Sequence, residues 1–113
     1  MKEIKAMIHP HMAGKVAQAL RELPRFPGLT LLDARGQGRG RGVGGAYVVT
    51  EDDIDYHRKT MMIIVCADEM VPAIVETIRK GAHTGHPGDG IITVGELAEV
   101  IRIRAGEQNE SAV

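Results

Sequence analysis

Three stretches of this 113-residue chain carry residue types that can hold an anion. "GHPGDG", residues 85–90, sets three glycines, a proline and an aspartate into six positions. Glycine admits backbone conformations in which successive N–H groups converge into a nest for phosphate or carboxylate oxygens. Asp89 does not itself favour a phosphate, so its place is to brace the turn or to accept from a base or ribose. The same residues also read as a tight connection from a helix to a strand, and that reading stays open. "RGQGRGRGVGG", residues 35–45, carries Arg39 and Arg41 among glycines at 36, 38, 40, 42, 44 and 45. No Gly-Lys-Ser/Thr follows and no helix opens there, which excludes a P-loop and a dinucleotide fingerprint. A loop without a ligand, a phosphate contact and an arginine-glycine contact to RNA all remain. The acidic "EDDID" at 51–55 and the lack of an aromatic platform weigh against RNA. In "VIRIR", residues 100–104, strand alternation predicts Ile101 and Ile103 on one face and Arg102 and Arg104 on the other, the arginine Cα atoms roughly 7 Å apart. Two guanidinium forks at that spacing suit a polyphosphate, and they equally suit a solvated edge strand.

The remaining reactive side chains point less clearly. Of the five histidines, His9 and His11 flank Pro10, while His83 and His86 bracket Thr84-Gly85. None has the i, i+4 helical spacing or the Cys–His grouping of a zinc site, so they read as surface or strand-end residues and no metal ligand is assigned. With Asp52, Asp53 and Asp55, an intersubunit cation site stays as the alternative. Cys66, the lone cysteine, lies inside "MMIIVCA" and reads as a buried, inert thiol in a chain suited to the reducing cytoplasm. No set of nucleophile, base and orienting group emerges, and catalysis is not expected.

The elements that must position these residues follow from periodicity. "EIKAMIH" alternates, with Ile4, Ala6 and Ile8 on one face, which predicts a half-buried strand. Ala13, Val16, Ala17 and Leu20 then fall at i, i+3, i+4 and i+7, the stripe of an amphipathic helix, ended by Pro24 and Pro27-Gly28. "LTLLDA" resumes an extended run. The second half repeats the order: a strand from Lys59 to Ala67, a helix with Asp68 as its cap and Pro72 in its first turn, and a strand at "IITV", with "EVIRIR" as a further extended piece. Strand-helix-strand twice over predicts an α+β, ferredoxin-like split βαβ sandwich: an antiparallel sheet with two helices on one face and a long loop between the halves. The other sheet face would lack a cover, and oligomerisation is the expected remedy. The hydrophobic content of 43% and the 14 basic against 15 acidic residues describe an ordinary globular chain without charge steering toward nucleic acid or membrane. No targeting segment or spanning helix is expected.

The early "I-x-P" at Ile8 to Pro10, "GLT" at 28–30, "GQGR" at 36–39, Lys59 opening the third strand, "TGHPGDG" at 84–90 and "IRIRAGE" at 101–107 together resemble the nitrogen regulatory PII signalling family, over Met1 to about Glu107. The last two motifs, in that order and spacing, are specific. The resemblance implies a single domain over 1–107, with 37–58 as a mobile T-loop that docks on target proteins and 108–113 as a flexible tail. It implies a cytoplasmic homotrimer without enzymatic activity, binding ATP or ADP in clefts between subunits. Carried over by position, Gly88, Asp89 and Gly90 form the phosphate-facing backbone, with Ile91 following. Arg102 and Arg104 reach the phosphates from an adjoining subunit, and Thr30, Gly38, Arg39 and Val65 contact the nucleotide along its length. Lys59 is an effector or phosphate contact.

The chain also departs from the family pattern. Gly40 stands where members that sense 2-oxoglutarate carry the glutamine that completes a magnesium site, so magnesium is left open. Ile91 stands where a lysine usually follows "GDG", and Asp52 where many bacterial members have the tyrosine that is uridylylated. Nucleotide sensing is the property these departures leave in place. The target is an unidentified protein, with a membrane transporter admitted; neither nucleic acid nor membrane insertion is expected. The alternative reading is a metal-responsive trimer resembling CutA, or a PII variant linked to metal or ion transport.

Overall fold

A computed structural model describes residues 1–36 and 57–113. Its elements run β1 (Lys2–Ile8), α1 (Ala13–Arg21), β2 (Thr30–Gly36), β3 (His57–Cys66), α2 (Val71–Ala82) and β4 (Ile91–Glu96). The four strands form one sheet in the order β2-β3-β1-β4, and each neighbouring pair is antiparallel. Helix α1 carries the chain from β1 to β2 with β3 lying between them, and α2 carries it from β3 to β4 across β1. Two interleaved split βαβ units result, which is the ferredoxin-like architecture expected from the sequence.

Period-two alternation explains which face is filled. Ile4, Ala6 and Ile8 of β1 and Met62, Ile64 and Cys66 of β3 point to the helices and are buried. Val16 and Leu20 of α1 and Ile74 and Ile78 of α2 close over them with no exposed surface. Burying aliphatic side chains of this size contributes roughly 1.5–3 kcal/mol each. Pro72 sits in the first turn of α2, where its missing N–H costs no helical hydrogen bond.

Among the described residues, no helix covers the opposite face. Directly opposed residues share a face, so Leu32, Met61, Met7 and Ile91 form a row across all four strands. Thr30, Ile63 and Lys5 form the next, with Val65 beyond. Leu32 and Ile91 are 46% and 58% exposed. The uncovered face foreseen from the sequence is present, and it is largely apolar.

Four local expectations are corrected. β3 begins at His57, so residues 57 and 58 belong to the sheet rather than to the connecting loop. Asp68 does not cap α2 with its side chain. It opens a short 3-10 turn, Asp68–Met70, and its carboxylate instead lies 2.6 Å from the Met1 amine and 3.2 Å from Lys2 Nζ. Lys2 also bridges to Glu96 at 2.5 Å, so the start of β1 is held at both flanks. "EVIRIR" is not a strand. Ile101 makes an isolated bridge to Gln108 and the residues between them turn. Residues 108–113, expected as a loose tail, fold back through a 3-10 turn at Asn109–Ala112, leaving Ala112 only 3% exposed.

Candidate functional site

Loop 83–90 joins α2 to β4, and its shape is set by left-handed glycines and one carboxylate. Gly85, Gly88 and Gly90 have φ of +85°, +88° and +109°. At Gly90 a Cβ would lie 1.6 Å from the Met7 carbonyl oxygen, so only glycine lets the loop run this close to β1. Asp89 accepts from the Thr84 N–H at 2.9 Å, from the Gly85 N–H at 3.0 Å and from the Thr84 hydroxyl. Those bonds, led by the Thr84 hydroxyl, hold its carboxyl far below the usual aspartate range. Bracing the turn is therefore its work, as one of the two sequence readings has it. The amides of Gly88 to Gly90 stay outside that network. Lys59, from the start of β3, donates to the Gly88 carbonyl, and burial lowers its pKa.

At the other end of β3 lies a cleft of about 820 Å³, within the range of roughly 300–1,000 Å³ common for small-molecule sites. Thr30, Val65, Arg102 and Arg104 all line it. The two arginines reach it from a hairpin-like turn rather than from a strand. The Arg102 N–H donates to the Glu107 carbonyl at 2.8 Å, and the Gly106 N–H to the Arg102 carbonyl at 2.8 Å. Gly106 and Asn109 supply left-handed corners, φ +71° and +56°, and the Asn109 side chain accepts from the Val100 N–H at 3.3 Å. Pro27, Leu29 and the terminal Val113 are among the other residues of its walls. Sequence reading did not assign these three to a site, because no periodic pattern ties a terminus or a proline turn to a distant strand.

The expected site residues thus fall into two sets. Thr30, Val65, Arg102 and Arg104 share the cleft. Gly88, Asp89, Gly90 and Ile91 share the loop, with Lys59 against it. Val65 and Lys59 lie six positions apart on one strand, roughly 20 Å. Both sets open toward the uncovered sheet face, since Lys59, Ile63 and Val65 alternate onto the same side. Gly38, Arg39, Gly40 and the acidic run at 51–55 lie outside the described residues. Among the described residues no three His, Cys, Asp or Glu side chains form a group able to hold a metal ion. No helix there is long and apolar enough to cross a membrane.

Residues 1–107 match the family model described as nitrogen regulatory protein P-II. The chain is 43% identical over 113 residues to nitrogen regulatory protein P-II 2 of Methanothermobacter thermautotrophicus, covering all of this chain and 97% of the relative. It is 41% identical to nitrogen regulatory protein P-II of Rhizobium meliloti and 39% identical to nitrogen regulatory protein P-II 1 of Escherichia coli. Each of these alignments spans 113 residues and the whole of both chains.

Proposed function

The chain belongs to the nitrogen regulatory protein P-II family, a family of signalling regulators, and on that premise we propose that it binds ATP or ADP between copies of itself and so controls a partner protein. The copies form a homotrimer in the cytoplasm, and the protein performs no catalysis of its own. One observation carries the reading. The cleft with its two arginines and the glycine loop with Lys59 sit at opposite ends of β3, too far apart for one nucleotide to engage both in a single copy. Both open on the same apolar, uncovered face. Copies laid against one another through that face bring the cleft of one to the loop of the next. Base and ribose then meet Thr30 and Val65, while the phosphates lie between the Gly88–Gly90 amides of one copy and the Arg102 and Arg104 forks of the other. Glycine amides and guanidinium forks are the donors that polyphosphate oxygens accept from most strongly.

Signalling requires that ATP and ADP favour different arrangements of the partner-binding segment, which we assign to residues 37–56. Any ligand that binds only the folded assembly raises its melting temperature in proportion to the logarithm of its concentration over Kd. Calorimetric titration with ATP and ADP, paired with thermal unfolding, tests the reading. Saturable binding and a nucleotide-dependent shift are expected, and neither nucleotide binding would end it. Arg104→Ala is expected to weaken binding by roughly 1.5–3 kcal/mol, the scale of a hydrogen bond to a charged group. An unchanged affinity would remove Arg104 from the site.

A further inference from the structure

One group of basic side chains at the glycine loop goes beyond the residues assigned so far. β1 and β3 run antiparallel with Ile8 opposite Thr60, so the flanking residues His9 and Lys59 meet at the same end of the sheet. A Cβ placed on Gly88 would lie 3.2 Å from Lys59 Nζ and 3.3 Å from His9 Cε1. His9 stacks on His11 with ring centroids 5.3 Å apart. Its Nε2 stands 3.3 Å from Asp89 Oδ1, and its side chain is 21% exposed. Among the described residues, then, His9 faces Lys59 from β3, His11 from the Pro10–Met12 turn and Asp89 from the loop. Two basic groups, Lys59 and His9, stand at the Gly88 backbone with His11 stacked on His9, against one carboxylate that is already taken up by Thr84 and Gly85.

We propose that His9 contacts the phosphate groups beside Gly88 and takes up a proton as they arrive, coupling nucleotide affinity to pH. This rests on the nucleotide reading above. In the free chain, burial first and the neighbouring Lys59 second hold the His9 imidazole below the ordinary histidine value, with Asp89 opposing them. His9 is therefore largely neutral near neutral pH. A phosphate oxygen within hydrogen-bond reach favours the imidazolium and converts the contact into a charge-assisted bond. The proton comes from solvent and returns to it when the anion leaves. A lysine in this place would give the same attraction without titrating near neutrality.

Titration calorimetry of the full chain with ATP, in buffers of differing ionisation heat, counts the protons exchanged on binding. Wild type is expected to take up more than His9→Gln, the difference approaching ~1 proton per site. The nucleotide's own ionisation is common to both proteins and cancels. Over roughly pH 6 to 8, the affinity of wild type relative to His9→Gln should fall as pH rises, by up to ~10-fold per unit, the limit for one linked proton. His9→Lys should bind ATP with the pH profile of the nucleotide alone, and it decides the matter if His9→Gln fails to fold. Equal proton counts and parallel profiles across the three proteins would overturn the role of His9 while leaving nucleotide binding intact. No saturable ATP binding at any pH would overturn both readings together.

Discussion

Loop 83–90 concentrates its constraints on two adjacent residues. Gly90 meets the β1 backbone where no Cβ has room, and its φ of +109° lies where other residues are strained. Gly90→Ala must therefore push the loop off β1 or shift the Met7 end of that strand. Combining strain with overpacking, a loss of roughly 3 kcal/mol or more is expected in denaturant unfolding. Asp89 and His9 give the loop a pH signature. The folded-state pKa of Asp89 is depressed, so its contribution is present above about pH 4 and is lost as pH falls through its folded value. The folded-state pKa of His9 is also lowered, and the neutral imidazole is the form the fold accepts. Its contribution is complete above about pH 6.5 and is likewise lost on acidification. Both groups thus act in one direction. The melting temperature of the nucleotide-free protein is expected to fall as pH drops below about 6.5 through His9, and further below about pH 4 through Asp89, with the second fall shallower in Asp89→Asn. A melting temperature that rose over that range would contradict the bonding seen here.

At the scale of elements, the hairpin-like turn at 100–109 shows where sequence patterning misleads. Alternating Ile and Arg in "VIRIR" imitates a strand with arginines on one face, and that reading fails. The chain turns because Gly106 and Asn109 take left-handed conformations and because the Asn109 side chain accepts from Val100. Asn109→Ala removes that bond and leaves a Cβ-bearing residue without asparagine's tolerance for this conformation. A loss of about 1–2 kcal/mol in the local stability of the turn is expected, read as faster amide exchange at Arg102 and Gly106, together with weaker ATP binding. The sheet and helices were legible for the reason the turn was not. Ile4, Ala6 and Ile8, and the stripes at Val16–Leu20 and Ile74–Ile78, repeat with the period of the element they build, and burial enforces that period. Asp68 looked like a cap because its type and place fit one. The Met1 amine claims it, and no local pattern announces a partner so distant in the chain. The same limit hid His9 at the loop. Only the antiparallel pairing of β1 with β3 brings it beside Lys59.

For the whole molecule, the decisive feature is a sheet with one filled and one open face. Leu32, Met61, Met7 and Ile91 form an apolar row across it, and Lys5 in the next row has its ammonium 3.4 Å from Glu3 on the same strand. If this face joins copies, a charge at its centre should dissociate them without disturbing the helix-covered core. Met61 is suited to the test, because it belongs to the open row and does not line the cleft. Met61→Glu places a carboxylate where no basic partner is directly opposed. Burying it unpaired would cost at least several kcal/mol, enough to favour separate chains. Light scattering should then report monomers in place of trimers, while far-ultraviolet circular dichroism stays unchanged. ATP affinity should collapse in the same variant even though every nucleotide-facing residue is intact, because the cleft and the glycine loop no longer meet. Monomers that still bound ATP at full strength would place the whole site within one copy and refute the assembly argument.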